Sequence, residues 1–173
     1  MKSSAGLAGK PSHGAERRKV RRVLSVHHVG VQTDDFENCL NWYLDFFEAK
    51  QMWQLDRFSR LTLRRLPGIR RLTEVSAGDV RFHLFDRATH TGRTALPDDF
   101  QFQHVCLAVG DAAELPRIRL RWLRLYQSGR YRFALPDPPT EIITDADGVQ
   151  SLYLFDVNGL ELEFTHVPGD TDE

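Results

Sequence analysis

The sequence predicts an α+β fold built from two similar modules, each with one strand, one helix and three further strands. Three observations support this fold class. Residues 28–37 (HVGVQTDDFE) and 104–114 (HVCLAVGDAAE) both run from a histidine through an apolar-rich strand to an acidic helix start. The same order of elements follows each segment. Each half also reaches a late strand with a polar side chain in mid-run, at His83 and at Glu163. A repeat on this scale normally means two modules packed together.

The first half begins with a strand and a helix. Residues 23–32 alternate around His28 and are typical of a strand. Asp34 is predicted to cap the helix, because Glu37 stands three residues later and completes a pattern resembling a capping box. Apolar side chains then recur on one helical face, at Phe36, Leu40, Tyr43, Leu44 and Phe47.

Three strands are predicted to close the first half. Residues 50–58 are typical of a strand, and residues 59–66 fit neither pattern clearly. Pro67 and Gly68 break the chain. A hairpin then follows, with strands at 71–76 and 79–86 that turn at Ala77-Gly78.

The second half repeats this order. A strand is predicted at 102–109 and a helix around 111–127, which begins near Leu115 so that Pro116 takes the tolerated first position. Asp147-Gly148 and Asn158-Gly159 are both favourable hairpin turns. They separate the three remaining predicted strands, at 140–144, 150–155 and 160–167.

Composition favours one globular domain of 173 residues, since 41% are hydrophobic and 27% charged. Two cysteines are too few for a disulfide framework. We expect neither a secretory signal nor a membrane span, because no apolar run of the required kind is present, and therefore expect a cytoplasmic protein. Residues 1–22 carry seven Lys/Arg and one Glu; we expect a solvated, disordered tail rather than a nucleic-acid arm. The predicted organisation is tail 1–22, module 23–88, linker 89–101, module 102–167 and tail 168–173.

Strand alternation places four metal-binding side chains on one surface of the sheet. If the helices cover the Val and Leu faces, then His28, His83, His104 and Glu163 all point to the opposite, concave surface. Each half offers two of these ligands, so the pattern suggests one four-ligand site between the halves. His27 should face away from His28 and is interpreted as a packed or surface residue.

The sequence also resembles the vicinal oxygen chelate superfamily, which includes glyoxalase I, methylmalonyl-CoA epimerase, extradiol dioxygenases and bleomycin-resistance proteins. The resemblance lies in four segments, HHVGVQTDDFENCLNWYLDFF, LPGIRRLTEVSAGDVRFHLFD, QHVCLAV and YLFDVNGLELEF, which lie between residues 27 and 164. It implies two βαβββ modules that form an open, cup-shaped mixed β-barrel, with helices outside, around a divalent metal.

The resemblance also implies which residues bind the metal. His28 and His104 match two ligand positions, and the spacing from Asn158-Gly159 assigns the carboxylate role to Glu163 rather than Glu161. The fourth position holds His83, where glyoxalases of the family have Glu and acyl-CoA epimerases Gln. Three imidazoles and one carboxylate suit one divalent transition metal, namely Mn, Fe, Co, Ni or Zn.

The number of ligands separates the candidate reactions. Four protein ligands on an octahedral ion leave two adjacent positions, enough for a carbonyl and its neighbour, so a metal-dependent isomerase is favoured, most specifically an epimerase. Its substrate would be a polyhydroxylated ketone, a keto-cyclitol or an acyl thioester. A glyoxalase-type lyase fits the same ligand count. If His83 is not a ligand, an extradiol-type dioxygenase becomes the alternative. A metal-free ligand-sequestering resistance protein is the third hypothesis.

The remaining site residues are less determined by sequence. Glu74 and Glu161 are candidate catalytic bases, provided that partial burial raises the pKa of the carboxyl group. Gln32 and Tyr153 are candidate substrate-binding residues. The resemblance also implies a homodimer.

Overall fold

The computed structural model describes residues 26–89 and 103–169. The predicted tail at 1–22 and nearly all of the predicted linker at 89–101 lie outside the described residues. The same is true of the chain end at 170–173 and of the outermost residues of two predicted strands, 23–25 and 102.

The first module forms a four-stranded mixed sheet in the order β1-β4-β3-β2. β1 runs parallel to β4, and the other neighbours are antiparallel. Its elements are β1 (Val29–Thr33), α1 (Phe36–Phe46), β2 (Lys50–Leu55), α2 (Arg60–Arg65), β3 (Arg71–Ala77) and β4 (Val80–Asp86).

The second module has the same topology, with the order β5-β8-β7-β6 and β5 parallel to β8. Its elements are β5 (His104–Ala108), α3 (Glu114–Gln127), β6 (Ile143–Thr144), β7 (Gln150–Phe155) and β8 (Glu161–His166). The predicted α+β class and the repeated order of elements are therefore confirmed.

Several predicted boundaries shift for local reasons. Asp35, not Asp34, caps α1 by accepting from the Asn38 amide, and Glu37 instead pairs with Arg71. The ambiguous stretch at 59–66 forms α2, which Ser59 caps. α3 begins at Glu114, so Pro116 is its third residue rather than its first; that position still belongs to the first turn, where no amide has an intrahelical partner.

Both modules share one hydrophobic core under the helices. Trp42, Phe46 and Phe82 of the first module belong to the same buried cluster as Leu152 and Phe164 of the second. The rings of Phe46 and Phe164 lie 6.1 Å apart, centroid to centroid. Because α1 contacts both sheets, the modules are packed as one body along this side.

The sheet surface away from the helices carries the polar side chains. In β8, Leu162 and Phe164 are buried, while Glu161, Glu163 and Thr165 alternate with them and are only partly buried. In β4, Phe82 reaches Tyr43 of α1, so that His83 lies on the opposite surface, as the alternation predicts. None of the helices in the described part of the chain is long and apolar enough to cross a membrane.

Candidate metal centre

A groove separates the free edges of β1 and β5 and has a volume of about 680 Å³. His27, His28 and Gly30 line it from the first module, and His104 and Cys106 line it from the second. β1 and β5 occupy equivalent edges of the two sheets. The groove is therefore where the repeated histidine segments of the sequence meet.

The first-module side of the groove holds a histidine pair anchored by a carboxylate. The rings of His28 and His83 are stacked, with centroids 3.6 Å apart and planes 9° apart. His83 Nε2 lies 2.9 Å from Glu74 Oε2, and both residues are buried. Glu74 and His83 face each other because they are direct partners in the β3–β4 ladder. A carboxylate bound to the far nitrogen of a histidine is the usual way to orient a metal-binding imidazole.

The electrostatics of this pair follow from its contacts. The hydrogen bond with His83 lowers the pKa of Glu74, against the opposing effect of burial. Partial desolvation of its ring, together with the neighbouring His83 and His27, lowers the pKa of His28. A neutral imidazole is the form that binds a metal, so His28 is in its ligand form at neutral pH.

The sequence-based interpretation of His27 is wrong in one respect. Its Nδ1 lies 3.0 Å from Nδ1 of His28, so the two side chains contact each other instead of facing apart. The reason is that β1 begins only at Val29; the alternation of a strand does not extend to residues 27 and 28.

The second-module side of the groove holds the other two candidate ligands. His104 Nε2 lies 3.1 Å from Glu163 Oε2. The other carboxylate oxygen, Oε1, accepts hydrogen bonds from the hydroxyls of Ser151, Tyr153 and Thr165, at 2.8 to 3.0 Å. Three donors on one oxygen fix the carboxylate and leave the second oxygen facing the imidazole.

Those hydroxyls also control the charge of the carboxylate. Burial alone would raise the pKa of Glu163, but the hydrogen bonds from Tyr153, Ser151 and Thr165 outweigh burial and lower it. The same contact with Glu163 raises the pKa of Tyr153, so its phenol stays protonated and donates. Glu163 is thus held as a carboxylate, the form that binds a cation.

The four predicted ligands lie in two pairs. Among the described residues, His27, His28 and His83 form a group whose ligand atoms all lie within 4.8 Å of one another. His104 and Glu163 are not members of that group; His104 lines the opposite side of the groove, with Glu163 beside it. The fourfold convergence on one ion therefore stays a prediction.

The donor set fits a divalent transition ion. His104 Nδ1 is buried and has no hydrogen-bond partner among the described residues, and it lies 3.9 Å from Glu161 Oε2. Nε2, on the other side of the ring, is the nitrogen that faces Glu163 and could share an ion with that carboxylate. The imidazoles on both sides of the groove and the carboxylate of Glu163 are donors that first-row divalent ions prefer.

The candidate bases and substrate-binding residues have different surroundings. Glu74 is occupied by His83, and its lowered pKa does not meet the condition of a raised pKa for a general base. Glu161 lies on the same surface as Glu163. Tyr153 contacts Glu163 directly. Gln32 lines a separate cavity of about 620 Å³, where Arg87 donates to its side chain.

Sequence reasoning missed the groups that support Glu163. Ser151 is paired with Thr165, and Tyr153 with Glu163, in the antiparallel β7–β8 ladder. Alternation along residues 150–155 would have placed Ser151 and Tyr153 on one face, opposite Leu152 and Leu154. The register between the strands, which sequence does not give, decides that their hydroxyls meet at Glu163.

Comparison with known proteins shows which fold this is. No protein-family model matches the sequence, and no curated protein matches it. A lactoylglutathione lyase structure from Agrobacterium tumefaciens is 19% identical with a TM-score of 0.54, over 82% of this chain and 92% of that chain. A glyoxylase/bleomycin resistance protein/dioxygenase domain from Frankia sp. EAN1pec is 15% identical with a TM-score of 0.64. The match covers 86% of this chain and 95% of that chain.

Fosfomycin resistance protein FosX from Listeria monocytogenes also matches, with 11% identity and a TM-score of 0.56 over 86% of this chain and 97% of that chain. A second structure of that protein is complexed with Mn(II) and sulfate. It is 10% identical with a TM-score of 0.53, and the match covers 84% of this chain and 94% of that chain. At these identities the likeness concerns the fold. The chain shares the fold of these glyoxalase-like and FosX structures, which is the fold that the resemblance to the vicinal oxygen chelate superfamily implied.

Proposed function

We propose that the protein is a metal-dependent isomerase, most specifically an epimerase that moves a proton at the carbon next to a carbonyl. The observation that carries this proposal is the position of His83, which lies beside His28 and is anchored through Nε2 by Glu74. That arrangement supports His83 as a metal ligand rather than an isolated core histidine. Four protein ligands leave too few open positions for a catecholate and O₂ together, which disfavours the dioxygenase alternative.

His28, His83, His104 and Glu163 would hold the ion, which we propose to be Mn, Fe, Co, Ni or Zn. One FosX structure of this fold is complexed with Mn(II). When bound, the ion supplies Lewis acidity to a substrate carbonyl. Glu74 fixes the ring of His83, and the hydroxyls of Ser151, Tyr153 and Thr165 fix the carboxylate of Glu163.

Glu161 is the better candidate for the catalytic base. It lies on the same sheet surface as Glu163, and Oε2 is 3.9 Å from Nδ1 of His104. Its side chain is 26% exposed, so it is accessible to a substrate beside His104. Glu74 does not have this freedom, because His83 occupies it. We therefore assign the proton transfer at the α-carbon to Glu161.

The groove favours a small oxygenated substrate. Its volume of about 680 Å³ lies within the range typical of small-molecule sites. A polyhydroxylated ketone, a keto-cyclitol or the acyl end of a thioester would fit between the two modules, with the apolar Val29 and Leu107 beside the polar ligands.

We also propose a homodimer. β2 is exposed along its whole length, and α2 has no buried residue. Together they expose Met52, Leu55, Leu61 and Leu63. An exposed apolar group of this kind is typical of a protein interface. Light scattering coupled to size-exclusion chromatography should give twice the chain mass of 19.9 kDa.

The test of the isomerase is solvent exchange. The purified protein, loaded separately with each candidate metal, is incubated in D₂O with α-hydroxy ketones and acyl thioesters. We expect deuterium at the α-carbon, detected by NMR, and its loss after chelation. Glu161→Gln should abolish the exchange while leaving metal content unchanged, with Glu141→Gln as the matched control on an exposed carboxylate. Oxygen consumption with catechols and no deuterium exchange would instead establish the dioxygenase.

A further inference from the structure

The imidazole of His27 lies in the groove, although the proposed reaction does not use it. Its Nδ1 is 3.0 Å from Nδ1 of His28, and its ring centroid is 6.1 Å from that of His83. The ligand atoms of these three histidines all lie within 4.8 Å of one another. The first module therefore offers three imidazoles before the second module contributes any ligand.

The spacing suits coordination of one cation. Metal–nitrogen bonds to histidine are about 2.0–2.1 Å, so two nitrogens at right angles on one ion stand about 3.0 Å apart. That is the distance between the two Nδ1 atoms of His27 and His28. The competing explanation is an ordinary N–H···N hydrogen bond between the two rings, which requires the same distance.

The surroundings favour coordination. Glu74 is only 6% exposed, and its carboxylate places a negative charge directly against His83. His27 and His28 are exposed and precede β1, so no strand ladder restricts their rings. Because the rings of His28 and His83 are parallel, a shared ion requires the exposed ring of His28 to turn and the exposed ring of His27 to move with it.

We propose that His27 is a metal ligand and that the first module alone holds one divalent transition ion through His27, His28 and His83. This inference rests on the proposed function in sharing His28 and His83 with its metal site. It goes further in making metal binding independent of His104 and Glu163. Once His104 and Glu163 also bind, five protein ligands would leave an octahedral ion only one open position, so His27 would have to leave the ion when a substrate binds through two oxygens.

The experiment measures metal affinity of the full chain rather than activity. The metal-stripped protein is titrated with Co²⁺ and with Zn²⁺ against a chromogenic chelator. The background is the double variant His104→Ala/Glu163→Gln, which lacks the second-module ligands. In this double-variant background we compare two substitutions of the same size. His27→Asn removes the imidazole donor, whereas His27→Asp replaces it with a carboxylate that can bind the metal. Circular dichroism checks that each variant is folded.

The double variant should still bind one ion per chain. His27→Asn in that background should weaken binding at least about tenfold, since even outer partners of metal ligands contribute that much. His27→Asp should restore most of the loss. An ion-free double variant would overturn the inference and leave the four-ligand proposal standing. Unchanged affinity after His27→Asn would identify the contact between His27 and His28 as a hydrogen bond alone and would also overturn the inference.

The two proposals fail separately. If the wild-type protein binds metal through His27 but exchanges no deuterium with any ketone or thioester, only the isomerase is lost. If exchange occurs and His27→Asn leaves metal affinity unchanged, only the role of His27 is lost.

Discussion

Two carboxylates organise the candidate site, and each does so through contacts that fix its charge. Glu74 binds His83 and has a lowered pKa, so it suits a positioning role rather than a catalytic base. Glu163 has one oxygen held by three hydroxyls and the other turned to His104. Hydrogen bonding thus distinguishes the two carboxylates: Glu163 is free to bind the metal, and Glu74 orients a metal-binding histidine.

Replacing Glu74 tests its positioning role. Glu74→Gln keeps the size of the side chain but removes the charge beside His83, so metal affinity should fall about 10- to 100-fold. Glu37→Gln is the matched control, because Glu37 is exposed and its ion pair within the described residues is with Arg71, away from the groove. Affinities come from competition with a chromogenic chelator. An unchanged affinity in Glu74→Gln would show that His83 does not bind the metal.

The hydroxyls around Glu163 predict a pH effect in the metal-free protein. The lowered pKa of Glu163 means that its contribution to stability is present above the pKa of the unfolded chain and is lost as pH falls through the folded value. Tyr153→Phe removes one donor, so the pKa of Glu163 should rise and this loss should begin at higher pH. Carboxyl ¹³C NMR measures the shift, and Tyr126→Phe, at an exposed position of α3, is the control.

At the scale of elements, α1 holds the two modules together. Tyr43, fully buried in α1, donates to Asp156 Oδ2 at 2.9 Å across the module boundary. Asp156 also accepts from the amides of Asn158 and Leu160, which forms the turn before β8. Burial raises the pKa of Asp156, and these donors offset part of the effect. The same aspartate therefore links α1 to the strand that carries Glu163.

Loss of that link should cost stability. Tyr43→Phe removes one buried hydrogen bond and should lower the free energy of unfolding by about 1 kcal/mol. Asp156→Ala leaves the Tyr43 hydroxyl and two amides without their acceptor, so the loss should be about 2–3 kcal/mol or more. Urea denaturation measures both. Equal stability of Tyr43→Phe and wild type would mean that the hydroxyl contributes nothing to packing of the modules.

At the scale of the whole molecule, two repeated modules place their histidine edges at one groove. β1 and β5 are equivalent edge strands, and each has its parallel neighbour, β4 or β8, carrying the second candidate ligand. A ligand that bridges the groove would connect the modules opposite the shared core. Metal binding should therefore stabilise the molecule as a unit.

Thermal unfolding tests this coupling. Zn²⁺ or Mn²⁺ at about 100 times its dissociation constant should stabilise the protein by about 2.7 kcal/mol and so raise its Tm. Excess chelator should reverse this rise in Tm. His83→Ala and Glu163→Gln should each reduce the rise, because they remove donors from opposite sides of the groove. His166→Asn, at the end of β8 and outside the proposed ligand set, should retain it.

Much of the fold was predictable from local patterns. The repeat of His28 and His104, the turns at Gly78, Gly148 and Gly159, and the alternation of β8 predicted element order and the polar surface of the sheet. Each of these depends on residues close in sequence, for which backbone geometry and side-chain period suffice. The exact helix starts did not follow, since neighbouring Asp34 and Asp35 are equally good caps by residue type.

Local patterns along the chain were enough to predict the two-module α+β architecture and to nominate His28, His83, His104 and Glu163 as ligands. The tertiary structure decided that Glu74 binds His83, that three hydroxyls meet at Glu163 and that His27 contacts His28. These contacts depend on strand register and on where β1 begins. Register is set by packing between elements distant in the chain, so no local pattern contains it.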